Sequence, residues 1–194
     1  VGLAVAAAAL TTLVAAPVGF LAARYPSRSA GWVERLSYVG FALPGIVVAL
    51  SLVYLGVRVV YPLYQTTAML LLAYLVLCLP MAVGSIGAAV SATPPVLEEM
   101  ARSLGRTPMR AFTSVTLPII TPGVLAGAAL VAVPVLKELP ATLVLRPIGT
   151  ETLATELWSA TAAGAYAAAA PYAAALVLVA IIPAAMLAVR TERS

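Results

Sequence analysis

The stretch Thr93-Pro-Pro-Val-Leu-Glu-Glu-Met-Ala-Arg-Ser-Leu-Gly105 opens a polar loop that continues as Arg106-Thr-Pro-Met-Arg-Ala-Phe-Thr-Ser-Val-Thr-Leu-Pro118. This segment, the 93–118 loop, lies between two long apolar runs. Thr93 suits an N-cap, prolines fill the first turn, and Glu98 and Glu99 lie near the positive end of the helix. Gly105 supplies a natural C-terminal break. The sequence therefore predicts a short helix that ends at Gly105.

A second helix-start signal follows the glycine. Thr107 and Pro108 repeat the cap-and-proline pattern, which predicts another short helix that ends before Pro118. The prediction is two helices joined by a sharp bend. One face of the first helix carries apolar residues at helical spacing, namely Leu97, Met100, Ala101 and Leu104. From this pattern alone, a helix that simply lies on a lipid surface is an equally good interpretation.

Apolar runs long enough to cross a bilayer lie on both sides of this loop. A spanning helix needs about 20 largely apolar residues, because only a helix satisfies its own backbone in lipid. The chain begins at Val1 inside such a run, so we expect the natural chain to be longer. The sequence predicts one all-α transmembrane domain over 1–194, with five spans at residues 2–23, 36–57, 66–90, 119–136 and 171–189.

The composition excludes several classes of function. Hydrophobic residues make up 63% of the chain and charged residues 9%, against about 25% charged in soluble domains. Without Asp, Asn or His, the chain has almost nothing from which to build a hydrolytic site or a His-bound zinc. Cys78 is the single cysteine, and the basic residues form no dense run. We therefore expect no catalytic residues, no metal site and no nucleic-acid partner.

The basic residues predict an orientation, because cytoplasmic loops carry an excess of Lys and Arg. Arg58, Lys137 and Arg146 would lie on the outer side. The other eight of the eleven would lie on the cytoplasmic side, together with the 93–118 loop: Arg24, Arg28, Arg35, Arg102, Arg106, Arg110, Arg190 and Arg193. With five spans, the N-terminus of this chain is then outside and its C-terminus cytoplasmic. The outer segment 137–170 is expected to form a re-entrant or surface helix pair.

The spacing within the loop resembles the EAA motif of permeases in type I ATP-binding-cassette importers. That motif is Glu-Ala-Ala, three residues, Gly, nine residues, Ile, one residue, and Leu-Pro. Glu99-Met100-Ala101, then Gly105, then Val115, Leu117 and Pro118 match it in register. Met replaces the first Ala and Val replaces Ile, and the bulkier Met would alter the packing against an ATPase in detail. The resemblance implies the type I permease fold in a bacterial plasma (inner) membrane.

By the same resemblance, the first helix of the loop is the coupling helix that docks on a nucleotide-binding subunit. Glu99 would be a polar contact and Gly105 would permit the bend. The implied ATPase-coupling residues are Leu97, Glu98, Glu99, Met100, Ala101, Leu104, Gly105, Val115, Leu117 and Pro118. The implied partners are an ATPase dimer that holds ATP and Mg, a second permease half, identical or fused, an extracytoplasmic substrate-binding protein, and membrane lipid. This chain would bind no cofactor, and it has no Gly-Lys-Ser or Gly-Lys-Thr phosphate loop.

Two further runs are similar to permeases of the ferric iron importer family: Ala42-Leu-Pro-Gly-Ile-Val-Val-Ala49 and Lys137-Glu-Leu-Pro-Ala-Thr-Leu-Val-Leu-Arg-Pro147. Pro44, Gly45, Lys137 and Glu138 within them are candidates for the translocation path or a gate. Tight helix packing at Pro44-Gly45 and local pairing of the two charges remain open as alternatives.

The resemblance implies ferric iron as cargo, with related thiamine and polyamine importers as alternatives. A secondary transporter and a structural membrane subunit are the rivals from other classes. Neither explains the EAA spacing, and the predicted spans place no charge near the bilayer middle, where coupled secondary transporters usually have one.

Overall fold

The computed structural model describes residues 1–191, and the side chains of residues 1–181. These residues form helices with no β-strand, as predicted. The helices are α1 (Gly2–Arg24), α2 (Arg28–Ser37), α3 (Val39–Ala42), α4 (Gly45–Arg58), α5 (Thr67–Ser91), α6 (Pro95–Ser103), α7 (Pro108–Ala111), α8 (Leu117–Lys137), α9 (Pro140–Leu145), α10 (Leu153–Ala162) and α11 (Tyr166–Thr191). A 3₁₀ turn, Tyr61–Leu63, precedes α5, and a π-helical segment, Phe112–Thr116, joins α7 to α8.

Helix α5 lies at the centre of the bundle and packs against α1, α8, α3 and α4. Small residues let α1 approach it closely, because Ala7 and Ala15 are fully buried and Gly19 lies against the backbone of Val83. A Cβ on Gly19 would lie 2.9 Å from the carbonyl oxygen of Val83. Apolar side chains gain little from leaving lipid, so close backbone packing of this kind is the main source of helix association in a membrane.

Three helices of the described part are long and apolar enough to cross a bilayer: Gly2–Arg24, Thr67–Ser91 and Pro108–Lys137. They contain the predicted spans 2–23 and 119–136, and they match 66–90 within one residue. The third is longer than predicted, because helix continues upstream of residue 119 through α7 and the π-helical segment.

The predicted span 36–57 is not one straight helix. Arg28–Ala42 and Gly45–Arg58 meet at a bend of 105°. Leu43 has extended backbone angles, φ −100° and ψ 129°, and Pro44 caps the start of α4. A residue before proline is pushed out of the helical region by the proline ring, so the break falls at Leu43. With the bent pair counted as one span, the described residues contain up to four spans by length and composition.

The C-terminal third contains two short helices and then α11. Helices α9 and α10 form within the predicted outer segment 137–170, and Thr152 and Thr155 make a capping box at the start of α10. Helix α11 begins at Tyr166, five residues before the predicted start at Pro171, and it is apolar over Tyr166–Ile181, where its side chains are described. The side chains of the rest of the predicted span 171–189 lie outside the described part. The side chain of Arg190 and the whole of Arg193, both used in the orientation argument, lie outside the described part.

Candidate functional site

The first helix of the 93–118 loop, α6, starts differently from the prediction. Thr93 is not its N-cap, because the Thr93 hydroxyl donates to the carbonyl of Ala89 at 3.1 Å and completes the last turn of α5. Pro94 is the N-cap, with extended backbone, and Pro95 is the first helical residue. A proline tolerates this first position because its missing N–H would have no partner in the helix anyway. Thr93 therefore belongs to the end of α5.

Gly105 ends α6 as predicted. Its φ is +84°, a conformation that side chains with a Cβ rarely adopt. The N–H of Gly105 donates to the carbonyl of Arg102 at 3.0 Å, and the N–H of Arg106 donates to that of Ala101 at 3.2 Å. This pair of bonds is a Schellman motif, which satisfies the last carbonyls of a helix. The bend after α6 is thus fixed by the backbone.

Replacing Gly105 with alanine should loosen this bend. Alanine at a positive φ costs about 1 kcal/mol, whereas asparagine tolerates that conformation better. We expect Gly105→Ala to increase proteolytic cleavage of the 93–118 loop in the purified full-length protein. Gly105→Asn is the control, with a smaller increase. Nothing lies within 4 Å of a Cβ at this position, so a clash cannot cause the effect. Equal cleavage of Gly105→Ala and Gly105→Asn would contradict the conclusion that the positive φ of Gly105 fixes the bend.

The second helix of the loop begins as predicted but does not end before Pro118. The Thr107 hydroxyl accepts from the N–H of Arg110 at 3.4 Å and caps α7. The chain then continues through the π-helical segment into α8, with the N–H of Leu117 donating to the carbonyl of Phe112. A proline inside an α-helix removes one hydrogen bond and clashes with the carbonyl four residues earlier. The wider π turn before Pro118 accommodates that proline within a continuous helix.

Glu98 fixes α6 to the rest of the bundle. Its Oε2 lies 3.2 Å from Nη2 of Arg24, at the end of α1, and accepts from the Thr116 hydroxyl at 3.0 Å. The Arg24 Nη1 also donates to the carbonyl of Thr93 at 3.0 Å. We call these four residues the Arg24–Glu98 cluster. It joins the ends of α1 and α5, helix α6 and the π-helical segment at one point.

An aromatic contact reinforces this junction. The rings of Phe20 on α1 and Phe112 in the π-helical segment meet edge to face, with centroids 5.4 Å apart. Neither Arg24 nor Phe20 stood out in the sequence as a functional residue. Arg24 ends a long apolar run, and charged side chains near such runs usually pair with another group. This was the feature of the sequence that could have identified Arg24.

The predicted apolar face of α6 is only partly exposed. Ala101 is 7% exposed and points into the bundle, so it does not share the exposed face of Met100 and Leu104, although the helical spacing placed the three on one face. The reason is helical phase: Ala101 lies three residues after Glu98 and shares its inward face. Leu97 is 38%, Met100 58% and Leu104 84% exposed, and Glu99 is exposed as well. Of the later motif residues, Val115 is half-buried, whereas Leu117 and Pro118 are exposed.

A second group of predicted residues meets at the break between α3 and α4. Gly45 faces Glu138 so closely that a Cβ on the glycine would lie 2.7 Å from Oε1 of the glutamate. The same Oε1 accepts from the N–H of Ala141 at 3.1 Å, at the start of α9. Pro44 immediately precedes this contact as the cap of α4. Glu138 therefore lies between the starts of two helices, where a negative charge is favoured.

A cavity of about 250 Å³ lies beside this contact. Glu138, Tyr74 and Cys78 are among its lining residues. The Tyr74 hydroxyl hydrogen-bonds to the Thr142 hydroxyl at 2.7 Å, so this buried hydroxyl has a protein partner. Within the described residues, no group of three His, Cys, Asp or Glu side chains is arranged to hold a metal ion.

Lys137 does not join Glu138. It is exposed and lines a different cavity, of about 830 Å³, between α8, α10 and α11. Most of that cavity is lined by apolar side chains, with Trp158 and Leu176 among them. The structure therefore brings together Pro44, Gly45 and Glu138 and separates Lys137 from them.

Comparisons with known protein families place these features in context. Residues 15–191 match the family model described as the binding-protein-dependent transport system inner membrane component. The chain is 43% identical over 176 residues to the Fe(3+)-transport system permease protein FbpB 2 of Haemophilus influenzae, covering 91% of this chain and 35% of that protein.

Two more distant relatives cover 73% of this chain. A putative ABC transporter permease protein of Streptomyces antibioticus, ORF1, is 34% identical over 61% of its own length. The molybdate/tungstate transport system permease protein WtpB of Pyrococcus abyssi is 28% identical over 56% of its length. The chain thus spans between about a third and three fifths of the length of these relatives.

A solved structure shares the fold. A chain from the inward-facing MetNI methionine ABC transporter superposes with a TM-score of 0.70 at 17% sequence identity, covering 99% of this chain and 93% of that one. The arrangement of helices described above is therefore that of an ABC importer permease, as the EAA spacing predicted.

Proposed function

Since the chain belongs to the family of inner-membrane components of binding-protein-dependent transport systems, we propose that it forms the membrane path of an ATP-driven importer and couples it to a separate ATPase. The observation that carries this proposal is the geometry of α6. One face is exposed and bears Glu99, Met100 and Leu104, while the opposite face is held to the bundle through Glu98. A helix with one free and one fixed face suits the transmission of movement between two proteins.

The coupling has a simple physical requirement. An ATPase can drive transport only if its closure has a different free energy in the two permease states. Displacement of α6 by the ATPase would act directly on α1, α5 and α8 through the Arg24–Glu98 cluster. The bundle would then shift between inward-open and outward-open arrangements as rigid helices. ATP and Mg would be held by the partner ATPase, which would perform the hydrolysis.

The proposed orientation places the 93–118 loop in the cytoplasm. Arg24 joins this loop, and Arg102, Arg106 and Arg110 lie within it, so basic residues cluster at one end of the bundle. An excess of Lys and Arg favours the cytoplasmic side. The N-terminus of this chain would then be outside and its C-terminus cytoplasmic, and the break at Pro44-Gly45 with Glu138 would be a candidate gate nearer the outside.

The docking role can be tested at Leu104, which is 84% exposed on α6. A minority of interface side chains, those well packed at the centre, contribute more than about 1 kcal/mol to binding, and a buried charge without a partner costs more. We expect Leu104→Glu to reduce co-purification of the ATPase by about tenfold. Ile148→Glu is the matched control, because Ile148 is 89% exposed but follows α9, away from the loop. Retention of the ATPase by Leu104→Glu would contradict docking through α6.

For the cargo, we propose ferric iron delivered by an extracytoplasmic binding protein, with a second permease half completing the path. The support is the 43% identity to a protein named as an Fe(3+)-transport permease. Other relatives are named for molybdate and tungstate or for 2-aminoethylphosphonate, so cargo differs among related proteins. The permease would recognise the loaded binding protein, and selectivity for the metal would lie in that protein.

The cargo proposal predicts ATP-dependent iron uptake. The full-length permease would be reconstituted in vesicles with its ATPase and binding protein, and labelled ferric iron would be supplied outside. We expect uptake only with ATP inside, and no uptake of thiamine, polyamine or molybdate. Transport of one of those solutes in place of iron would refute the cargo alone. Uptake that needs an ion gradient and no ATP would refute the importer mechanism and favour a secondary transporter.

A further inference from the structure

A groove on α2 forms a second polar site near the 93–118 loop. Helix α2 begins four residues after Arg24, the residue that pairs with Glu98. Arg28, Trp32 and Arg35 follow at intervals of four and three residues, which places them on one face of the helix. The groove has a volume of about 420 Å³, and its lining residues are Pro26, Ser27, Arg28, Gly31, Trp32 and Arg35.

Gly31 keeps this groove open. It lies on the same face as the two arginines, and nothing is found within 4 Å of the position where its Cβ would be. Because glycine has no side chain, a space remains between the guanidinium groups of Arg28 and Arg35. A glycine inside a helix lowers its stability by up to about 1 kcal/mol, so no local preference of the helix accounts for this residue.

Among the side chains of residues 1–181, no carboxylate forms an ion pair with Arg28 or Arg35, since the ion pair found there joins Arg24 to Glu98. Glu34 is the nearest acidic residue in sequence, but it lies about 100° around the helix from Arg35. The guanidinium carbon of Arg35 instead lies 6.0 Å from the centroid of the Trp32 ring, within cation–π range. The groove therefore carries positive charge from two arginines that have no carboxylate partner among the described side chains.

The exposed surface becomes apolar beyond the C-terminal end of α2 and along α3. Trp32 is 64% exposed, and the exposed residues between Arg35 and Phe41 are Leu36, Tyr38 and Val39, with Phe41 exposed as well. Tryptophan is enriched where headgroups meet acyl chains. The residues of the groove, Arg28, Trp32 and Arg35, are thus followed along the chain by exposed apolar residues, as the headgroup of a phospholipid is followed by its acyl chains. A soluble anion or an acidic protein surface would leave the aliphatic part without a partner.

We propose that this groove binds an acidic glycerophospholipid, with Arg28 and Arg35 donating hydrogen bonds to its headgroup phosphate over Gly31. The acyl chains would lie along Leu36 and Phe41. Guanidinium groups suit this role because their N–H donors match the geometry of phosphate oxygens. The site depends on the chain being in a membrane but not on the cargo or on the ATPase.

The test is native mass spectrometry of the purified full-length protein in detergent, titrated with dioleoyl phosphatidylglycerol or dioleoyl phosphatidylcholine. We expect one phosphatidylglycerol to be retained in preference to phosphatidylcholine. Each arginine near a lipid surface contributes about fivefold to affinity for an acidic lipid, so Arg28→Gln with Arg35→Gln should weaken it by roughly 25-fold. Gly31→Leu should abolish the preference by filling the groove without changing charge.

Arg58→Gln is the matched control for Arg35→Gln, because both arginines are exposed and lie in the last turn of their helices. It should leave the lipid preference unchanged. The proposal fails if both lipids bind equally, or if Arg58→Gln weakens binding as much as Arg35→Gln. Displacement of the lipid by excess inorganic phosphate would instead identify a site for a soluble anion. Loss of ATPase co-purification in the Arg28→Gln, Arg35→Gln variant, with its lipid binding intact, would identify a protein contact. Either outcome would overturn the lipid assignment.

Discussion

Glu98→Gln is expected to separate ATP hydrolysis from transport. The substitution keeps the size of the side chain but removes the charge that pairs with Arg24, whose side chain is 10% exposed. Hydrogen bonds to charged groups contribute about 2 kcal/mol each, and an arginine left without its partner adds a desolvation cost. In reconstituted vesicles we expect cargo uptake per ATP hydrolysed to fall about tenfold. Because α6 keeps its exposed face, the ATPase should still co-purify.

A double-mutant cycle identifies the cause of this effect. Arg24→Gln alone should resemble Glu98→Gln, and the double variant should lose less stability than the sum of the two, because the pair is already broken. We expect an interaction free energy of about 1 kcal/mol or more in thermal unfolding. Glu99→Gln, the adjacent exposed carboxylate, should leave stability unchanged. Strictly additive losses, or wild-type uptake per ATP in Glu98→Gln, would refute the role assigned to the cluster.

Gly40→Ala is expected to have the largest effect on stability. Gly40 is buried on α3, and a Cβ there would overlap the backbone carbonyl of Val76 on α5. Since a backbone atom cannot rotate away as a side chain can, α3 must move from α5. Overpacking of this kind costs about 3 kcal/mol, which corresponds to a fall of roughly 10 °C in the unfolding temperature. Thermal unfolding of the purified protein in detergent measures this fall in the unfolding temperature.

Gly31→Ala provides the comparison, because a Cβ at Gly31 meets nothing within 4 Å. Alanine favours helix over glycine by up to about 1 kcal/mol, so this variant should be as stable as wild type or slightly more stable. If Gly40→Ala were too unstable to purify, in-cell proteolysis of the two variants would give the same ranking. Equal stability of the two would show that α3 does not pack against α5 as described.

Local features of the loop were predictable because neighbouring residues determine them. A positive φ at Gly105 and a hydroxyl cap at Thr107 need only a few adjacent residues, and both were found where the sequence indicated. The EAA spacing likewise led to the fold, since it extends over a single continuous segment. Pro44 was singled out as a candidate for the translocation path or a gate, but the 105° bend beside it depends on how α3 and α4 pack against α5.

The contacts that hold the candidate site together were not predictable. Arg24 and Glu98 are 74 residues apart, and nothing in either local sequence connects them. Ala101 looked equivalent to Met100 because helical spacing alone does not say which side of an apolar stripe faces the bundle. The contact of Gly45 with Glu138 likewise needs the folded backbone, because it joins the start of α4 to the end of α8.

The π-helical segment Phe112–Thr116 gives the motif spacing a geometric meaning. It contains one residue more than an α-helical path of the same length would need. Deleting one residue from this segment would leave an ordinary α-helix of that length, in which the ring of Pro118 would clash with the carbonyl four residues before it. The number of residues between Gly105 and Leu117 therefore includes one that makes room for Pro118, and deletion within this segment is more damaging than substitution.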